Sequence, residues 1–373
     1  MKKVCIDINS IIPLFIKGFV TGVGRTTLEL VNTLAEIKDE IPFEIVLYSQ
    51  NMKGIGGRNL NLPFKNKHLY FPHQKSYNKF LGKFPVREIF TKYDLLHIPH
   101  NFEYVYCPEK TIVTLHDAMF MKFQEKEFDH GHLKLTVPPL MRECKAIITC
   151  SQNSKKDIIE TMNVNPEKIH VIPWGIRHDV FFLDRNSDLL KRKFGLKNPY
   201  FFSIPCSDER KNTPRLIDAY VEFAKNNPLN DLCLVWNAPQ YILEKIENSG
   251  VQNRIHLLKK VDDEDLRYLY SGATATVFPS LYEGFGLPVL ESMACGTPVI
   301  TSDTSSLPEV GGDTVIYVDP LDIKSIERAL YLFENNELDR DLLIKKGIER
   351  ASGYLWNQCA RATVAVYEKY LEK

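Results

Sequence analysis

The sequence predicts an α/β protein built from two doubly wound parallel-sheet domains. Three observations carry that expectation. The chain has 373 residues, more than the roughly 250–300 at which a single core stops growing. Short apolar runs alternate throughout with longer stretches of helical periodicity, as in sheets covered by helices on both faces. The alternation is interrupted where Gly175, Asn186, Ser187 and Gly195 fall close together, and then it resumes.

The elements follow in order. KKVCIDI (2–8) reads as a buried strand, and Gly24 to Ile37 as a helix with Leu28, Leu30, Val31, Leu34 and Ala35 on one side. Strands are expected at FEIVLYS (43–49), LLHIP (95–99), TIVTLH (111–116), AIITCS (146–151) and KIHVIPWG (168–175), completing a first domain over 1–175. A second domain, 176–355, repeats the pattern with strands at 200–205, 232–237, 254–259, 275–280, 297–302 and 314–318. DDEDL (262–266) reads as a helix N-cap with acids in the first turn. A last helical segment, 356–373, contains CARATVAVYEKYLEK.

Composition narrows the function. Formal net charge is zero, with Lys+Arg and Asp+Glu both at 47, but the first half of the chain is net positive and the second net negative; no nucleic-acid partner is expected. Eight cysteines form no CxxC pair, which points away from zinc and redox dithiols and towards a reducing cytosol. Asp7, Asn9 and Lys17 break up the apolar start, so no signal peptide is expected, and no apolar run approaches a membrane span.

In open α/β sheets ligands bind beyond the carboxyl ends of strands. The richest segment of that kind is VFPSLYEGFGLPVLESMACGTPVITSDTSSLPEV (277–310). Gly284 and Gly286 allow close backbone approach to a ligand. Pro288 suits the first turn of a helix whose N-terminus favours phosphate. Glu283 and Glu291 offer carboxylates that accept hydrogen bonds from sugar or ribose hydroxyls. Together they describe a sugar-nucleotide site. For an arbitrary pair of glutamates, solvation on the surface is the commoner explanation; here it would also have to account for both glycines, Pro288 and the strand–loop–helix context.

The segment resembles the donor-site signature of the retaining GT-B glycosyltransferases of family 4, and TLHD (114–117), GVGR (22–25) and LHIPHN (96–101) lean towards their mannosyltransferase-like members. The signature is Glu, seven residues, Glu, here Glu283 and Glu291, followed by GTPVITS (296–302) and PEV (308–310). The resemblance implies that two Rossmann-like domains face each other across a cleft. It implies that Glu291 holds the donor ribose, while Glu283 and the backbone of Gly284, Phe285, Gly286 and Leu287 hold the sugar and diphosphate. SDERKN (207–212) is similar to the element that places Arg210 and Lys211 on the diphosphate. TLHD (114–117) is similar to the family's His-Asp position, which puts His116 near the reacting sugar and Asp117 on the acceptor side, with Asn101 of LHIPHN. GVGR (22–25) is similar to the family's glycine-rich loop and brings Gly24 to the donor. The final helix would pack back on the N-terminal domain. Glu283, His116 and Lys211 are the expected catalytic residues. Two departures stand out: Trp174 precedes Gly175 where Asn is frequent, and IPCSDERK replaces a glycine-led turn.

The implied reaction is metal-independent transfer with retention from a GDP- or UDP-linked sugar to a hydroxyl acceptor, in polysaccharide or glycolipid synthesis, with no cofactor. Arg210 and Lys211 take the place of a metal's charge on the leaving diphosphate. Rival readings fit less well. GVGRTT lacks the third glycine of a dinucleotide fingerprint and lies too far from the first strand. No aspartate pair suits a divalent ion, and a glycoside hydrolase needs no phosphate cradle. A non-catalytic sugar-nucleotide-binding protein, or an inactive subunit, is the remaining alternative. Residues 64–93 interleave Lys65, Lys67, Lys75, Lys79, Lys83, Arg87 and Lys92 with Phe71, Tyr77, Phe80, Phe84 and Phe90. This suits a solvated basic face, a soluble acceptor bearing phosphate, or peripheral contact with an anionic membrane carrying a lipid-linked acceptor glycan.

Overall fold

A computed structural model describes residues 1–18, 21–52, 62–72, 79–100, 104–123 and 131–372. The chain divides into two units, Met1–Gly175 with Leu355–Lys373, and Ile176–Tyr354.

The first unit holds a seven-stranded sheet. Its strands are β1 (Lys3–Asp7), β2 (Glu44–Gln50), β3 (Asn66–Leu69), β4 (Leu95–Ile98), β5 (Thr111–Thr114), β6 (Ala146–Thr149) and β7 (Ile169–Val171). The order across the sheet is β3-β2-β1-β4-β5-β6-β7, and every pairing is parallel. β1, β4, β5 and β6 are buried almost end to end, as strands covered on both faces must be. β3 was not anticipated. Its NKHL sequence is polar, and His68 Nδ1 lies 2.8 Å from Ser49 Oγ on β2, so it pairs at the sheet edge without an apolar run to announce it. β7 is shorter than KIHVIPWG suggests, because Pro173 has no N–H to give to a ladder.

The Gly22–Glu36 helix starts at Thr21, whose hydroxyl accepts from Gly24 N at 3.2 Å. It buries Leu30, Val31 and Leu34 in the same core as Val4, Ile6 and Leu47. Cys359, Ala360, Val364, Val366 and Tyr367 of the Trp356–Leu371 helix complete this core. The Tyr367 hydroxyl lies 2.5 Å from His97 Nδ1 within the sheet. Gly175 is required where this helix begins, since a Cβ there would meet Trp356 N at 2.1 Å.

The second unit holds a six-stranded sheet of β8 (Tyr200–Ser203), β9 (Asp231–Val235), β10 (Ile255–Leu258), β11 (Ala275–Phe278), β12 (Val299–Ser302) and β13 (Ile316–Val318). The order is β10-β9-β8-β11-β12-β13, again all parallel. Asp262 caps the Asp263–Gly272 helix by accepting from Asp265 N at 2.9 Å. That is the reading made from DDEDL.

Each sheet reverses its strand order once, between β1 and β4 in the first and between β8 and β11 in the second. Such switch points are where open α/β sheets bind ligands. Among the described residues, no helix is long and apolar enough to cross a membrane.

Candidate functional site

At the β8/β11 switch point, two loops are stitched together. The first leaves β8 and runs through Asp208, Arg210 and Lys211 to Asn212. Asn212 sits at φ 59°, a conformation asparagine tolerates better than most residues. From there its Nδ2 donates to Pro279 O at 2.9 Å and Pro320 O at 2.7 Å. The second loop leaves β11, and Leu281 N donates back to Arg210 O. Its far side is held by three hydroxyls after β12. Thr304 Oγ1 donates to Leu281 O, Ser305 Oγ accepts from Glu283 N at 3.0 Å, and the single hydrogen of Ser306 Oγ is within reach of Phe285 O at 2.6 Å and Glu283 O at 2.9 Å. Gly286 ends the loop at φ 127°, ψ 43°, accessible only to glycine. The Leu287–Ala294 helix follows, with Pro288 in its first turn.

The stitching brings Glu283 against Arg210 and Lys211. Lys211 Nζ donates to its Oε1 at 2.7 Å and Arg210 Nη1 to its Oε2 at 2.8 Å. Glu283 is 6% exposed. Burial alone would push its carboxyl up, but the charges of Lys211 and Arg210 outweigh burial and hold it below the usual glutamate range. Arg210 also pairs with Asp208, and Lys211 stands 4.6 Å from the centre of the Phe278 ring. The carboxylate expected on the sugar is thus also the counter-ion of both cations expected on the diphosphate.

Glu291 lies on the next helix turn, half-buried, and its Oε2 accepts from the Tyr270 hydroxyl at 3.1 Å. Tyr270 is fully buried and packs edge-on against Phe202. Gly284, Phe285 and Gly286 are buried, Leu287 partly so. The Phe285 ring turns towards Tyr354 at 5.9 Å.

The N-terminal unit carries the other expected residues. His116 leaves β5 buried. Its Nε2 lies 3.3 Å from Pro99 O, its Nδ1 is buried without a hydrogen-bond partner among the described residues, and Trp174 stands 5.0 Å from its ring. Trp174, the departure noted in the sequence, therefore packs on the histidine. Asp117 Oδ1 accepts from Met119 N at 2.9 Å at the start of a short helix. Asn101 lies outside the described residues, as do Lys75 and Tyr77 of the basic stretch.

Two expectations need correction. GVGR is not a loop: Gly22 opens a helix, and Gly24 N is taken by the Thr21 cap, so this amide already has a partner within the protein. Arg87 is not on the basic face either. It is 3% exposed, 3.9 Å from Asp7 Oδ2, with its guanidinium 5.0 Å from the Tyr48 ring centre. Sequence periodicity could not separate it from its exposed neighbours, because the Val86–Phe90 helix is only five residues long.

Sequence reasoning also missed Asn212, Tyr270, Ser305, Ser306 and the Asp7–His100 pair. The available signals were an acid ending an apolar strand at Asp7 and the polar TSS run after β12. Among the described residues, no group of three or more His, Cys, Asp or Glu side chains is arranged to hold a metal ion.

Comparison with known proteins gives a consistent result. Residues 184–350 match the family described as glycosyl transferases group 1, and residues 20–180 match glycosyltransferase family 4. The O-antigen chain mannosyltransferase B of Escherichia coli is 28% identical over 95% of this chain and 97% of its own. Among solved structures, sucrose-phosphate synthase from Thermosynechococcus elongatus superposes with a TM-score of 0.77 at 18% identity, covering 99% of both chains. HepE of Anabaena, solved in complex with UDP and glucose, superposes at 0.75 with 16% identity, over 99% of this chain and 100% of its own. The two parallel-sheet units are those of the GT-B architecture.

Proposed function

The chain belongs to the group 1 glycosyltransferases of family 4, and from that premise we propose that it transfers mannose from a nucleotide-diphosphate donor to a hydroxyl of a growing polysaccharide, with retention and without a metal. The observation that carries this reading is the Glu283–Arg210–Lys211 cluster at the β8/β11 switch point, beside the N-terminus of the Leu287–Ala294 helix. The named mannosyltransferase of Escherichia coli favours mannose and an O-antigen-like acceptor. The UDP complex of HepE favours a nucleotide donor.

In this reading the donor diphosphate lies against Lys211, Arg210 and the positive end of the Leu287–Ala294 helix dipole. As the bond from the anomeric carbon to the diphosphate breaks, negative charge grows on the departing oxygen. The two cations, fixed in place beforehand, stabilise it electrostatically. Glu291, oriented by Tyr270, takes the ribose hydroxyls. Glu283 takes sugar hydroxyls while keeping the cations in register. On the family resemblance alone, His116 is assigned to the sugar and Asp117 to the acceptor.

The acceptor is proposed to be lipid-linked and reached at the inner face of an anionic membrane. Tyr70, Phe80, Phe84, Ile89 and Phe90 are exposed beside Lys79, Lys83 and Lys92, and the Phe80 and Phe84 rings pack 4.6 Å apart. Basic side chains attract an anionic leaflet, and aromatic ones settle at its interface.

The test is a transfer assay with GDP-mannose and other GDP- and UDP-sugars on a polysaccharide-primer acceptor, run with and without EDTA. The first product is read by proton NMR at the anomeric position. Turnover that survives chelation and keeps the donor's anomeric configuration supports the reading. An inverted linkage, or turnover restored only by magnesium or manganese, overturns it.

A further inference from the structure

The Glu283–Gly286 backbone is shaped from one side by the segment that follows β12. Ser305 Oγ accepts from Glu283 N at 3.0 Å, and Ser306 Oγ is within reach of Phe285 O at 2.6 Å. The Leu307–Gly311 helix then closes over Gly286: a Cβ on Gly286 would meet Leu307 Cδ2 at 3.1 Å and Val310 Cγ1 at 3.8 Å. A helix of five residues is too short to hold itself together in water. Its Glu309 and Val310 carbonyls lie in the last turn, where a helix offers them no donor.

Those carbonyls are taken by Arg350, which reaches in from the Arg340–Ser352 helix. Its Nε donates to Val310 O and its Nη2 to Glu309 O at 2.6 Å. The residue after the short helix leaves room for it. Gly312 sits at φ 58°, and a Cβ there would meet the guanidinium carbon at 2.7 Å. Burial pushes the Tyr354 phenol up, against the pull of the neighbouring Arg350 guanidinium, and the Tyr354 ring is the one that Phe285 faces. Arg350 therefore adjoins two supports of the loop, one over Gly286 and one against Phe285. All of these groups belong to the second unit. An arginine on terminal carbonyls can serve any helix as a cap. Here the capped helix is also the wall of the Glu283–Gly286 loop.

We propose that Arg350 is a positioning residue for the nucleotide-sugar donor: by holding the Glu309 and Val310 carbonyls it fixes the backbone of Glu283–Gly286. This rests on the reading of that loop as part of the donor site.

The test uses R350A, V310A and K346A in the full chain. Lys346 lies one turn earlier on the same helix and pairs with the exposed Asp313 at 2.9 Å, so K346A controls for general loosening. Glu283–Gly284 is the only Glu–Gly step in the sequence. Labelling glutamate with 13C at the carbonyl and glycine with 15N therefore selects one amide resonance, that of Gly284. In unliganded R350A and V310A this resonance should move from its position in the parent. Affinity for the better bound of UDP and GDP, by calorimetry, should fall about 10- to 100-fold in R350A and less in V310A. K346A should leave the resonance in place and the affinity within about two-fold. An unmoved Gly284 resonance in folded R350A overturns the positioning role and leaves the donor reading standing. A resonance that moves while affinity stays at the parent value, or a parent that binds neither nucleotide, overturns the donor reading and the proposal with it. Equal changes in K346A would mean general loosening and would also overturn the proposal. Should R350A not fold, V310A decides, because it keeps the backbone partners of Arg350 and trims only the side chain that closes on Gly286: an unmoved resonance there overturns the proposal.

Discussion

Replacing Glu283 by Gln should tighten binding of a free nucleoside diphosphate while slowing sugar transfer. Without a ligand, the carboxylate neutralises Lys211 at 2.7 Å and Arg210 at 2.8 Å. A diphosphate bound to the same cations brings more negative charge beside it. Two like charges about 7 Å apart at an effective dielectric near 20 repel by about 2 kcal/mol, or roughly 30-fold in affinity. Gln removes that repulsion at nearly the same volume, and with screening by solvent the gain should be about 3- to 30-fold. Turnover moves the other way, because a charge-assisted hydrogen bond to the sugar, about 1.5–3 kcal/mol, is lost. That corresponds to a fall in kcat of about 10- to 150-fold. The unliganded variant should also melt earlier, since the two cations lose their buried partner. Calorimetry with UDP and GDP, followed by a donor turnover assay, measures both effects. A folded E283Q protein that binds nucleoside diphosphate more weakly than its parent refutes the shared-cation argument.

Three further outcomes are expected. Tyr270→Phe removes the hydroxyl that orients Glu291 and should weaken binding of the nucleotide sugar by about 3- to 10-fold, with Glu291→Ala weaker still; equal affinities for parent and Y270F by calorimetry would exclude the orienting role. Burial pushes His97 down to about 3 and His116 to about 4. Unfolded histidine takes up its proton near pH 6.5, so between about pH 6.5 and 4 the unfolded chain binds protons that the folded chain does not. Stability should fall with falling pH there, by about 1.4 kcal/mol per unit for each ring, and be flat on this account above 6.5; urea midpoints that match at pH 7 and pH 5 would contradict it. Finally, the chain should co-sediment with vesicles containing anionic lipid and be released by salt, and K79E/K83E should weaken this. Binding to neutral vesicles as strong as to anionic ones would remove the charge-based part of the membrane reading.

Legibility from sequence followed the physics of each residue. β1 and β11 were readable because a strand buried on both faces is an unbroken apolar run, and β3 was not, because an edge strand can be polar. Glu283 and Glu291 stood out by spacing and by the glycines around them. Their supports did not: Tyr270 lies twenty-one residues from Glu291, and the Ser305 and Ser306 hydroxyls reach across from a different strand exit. Arg87 shows the opposite failure. Lys79, Lys83 and Lys92 of the same stretch are exposed, and only the packing of a short helix against Tyr48 reveals that the Arg87 charge faces inward. Gly24 was visible as a glycine, but whether its N–H was available depended on Thr21 choosing to cap the helix.

The discontinuity of the first unit has a consequence for how the chain comes to fold at all. Its core needs Cys359, Ala360, Val364, Val366 and Tyr367, which a ribosome adds only after the whole of Ile176–Tyr354. At about 5–20 residues per second, the seven-stranded sheet waits on the order of ten seconds or more with one helix missing. Throughout that interval Leu30, Val31 and Leu34 lack their final cover, while the second unit is contiguous and free to fold as it emerges. The later-made unit is therefore the first to finish, and the nascent N-terminal half, rather than the completed enzyme, is the species that chaperones have most reason to hold.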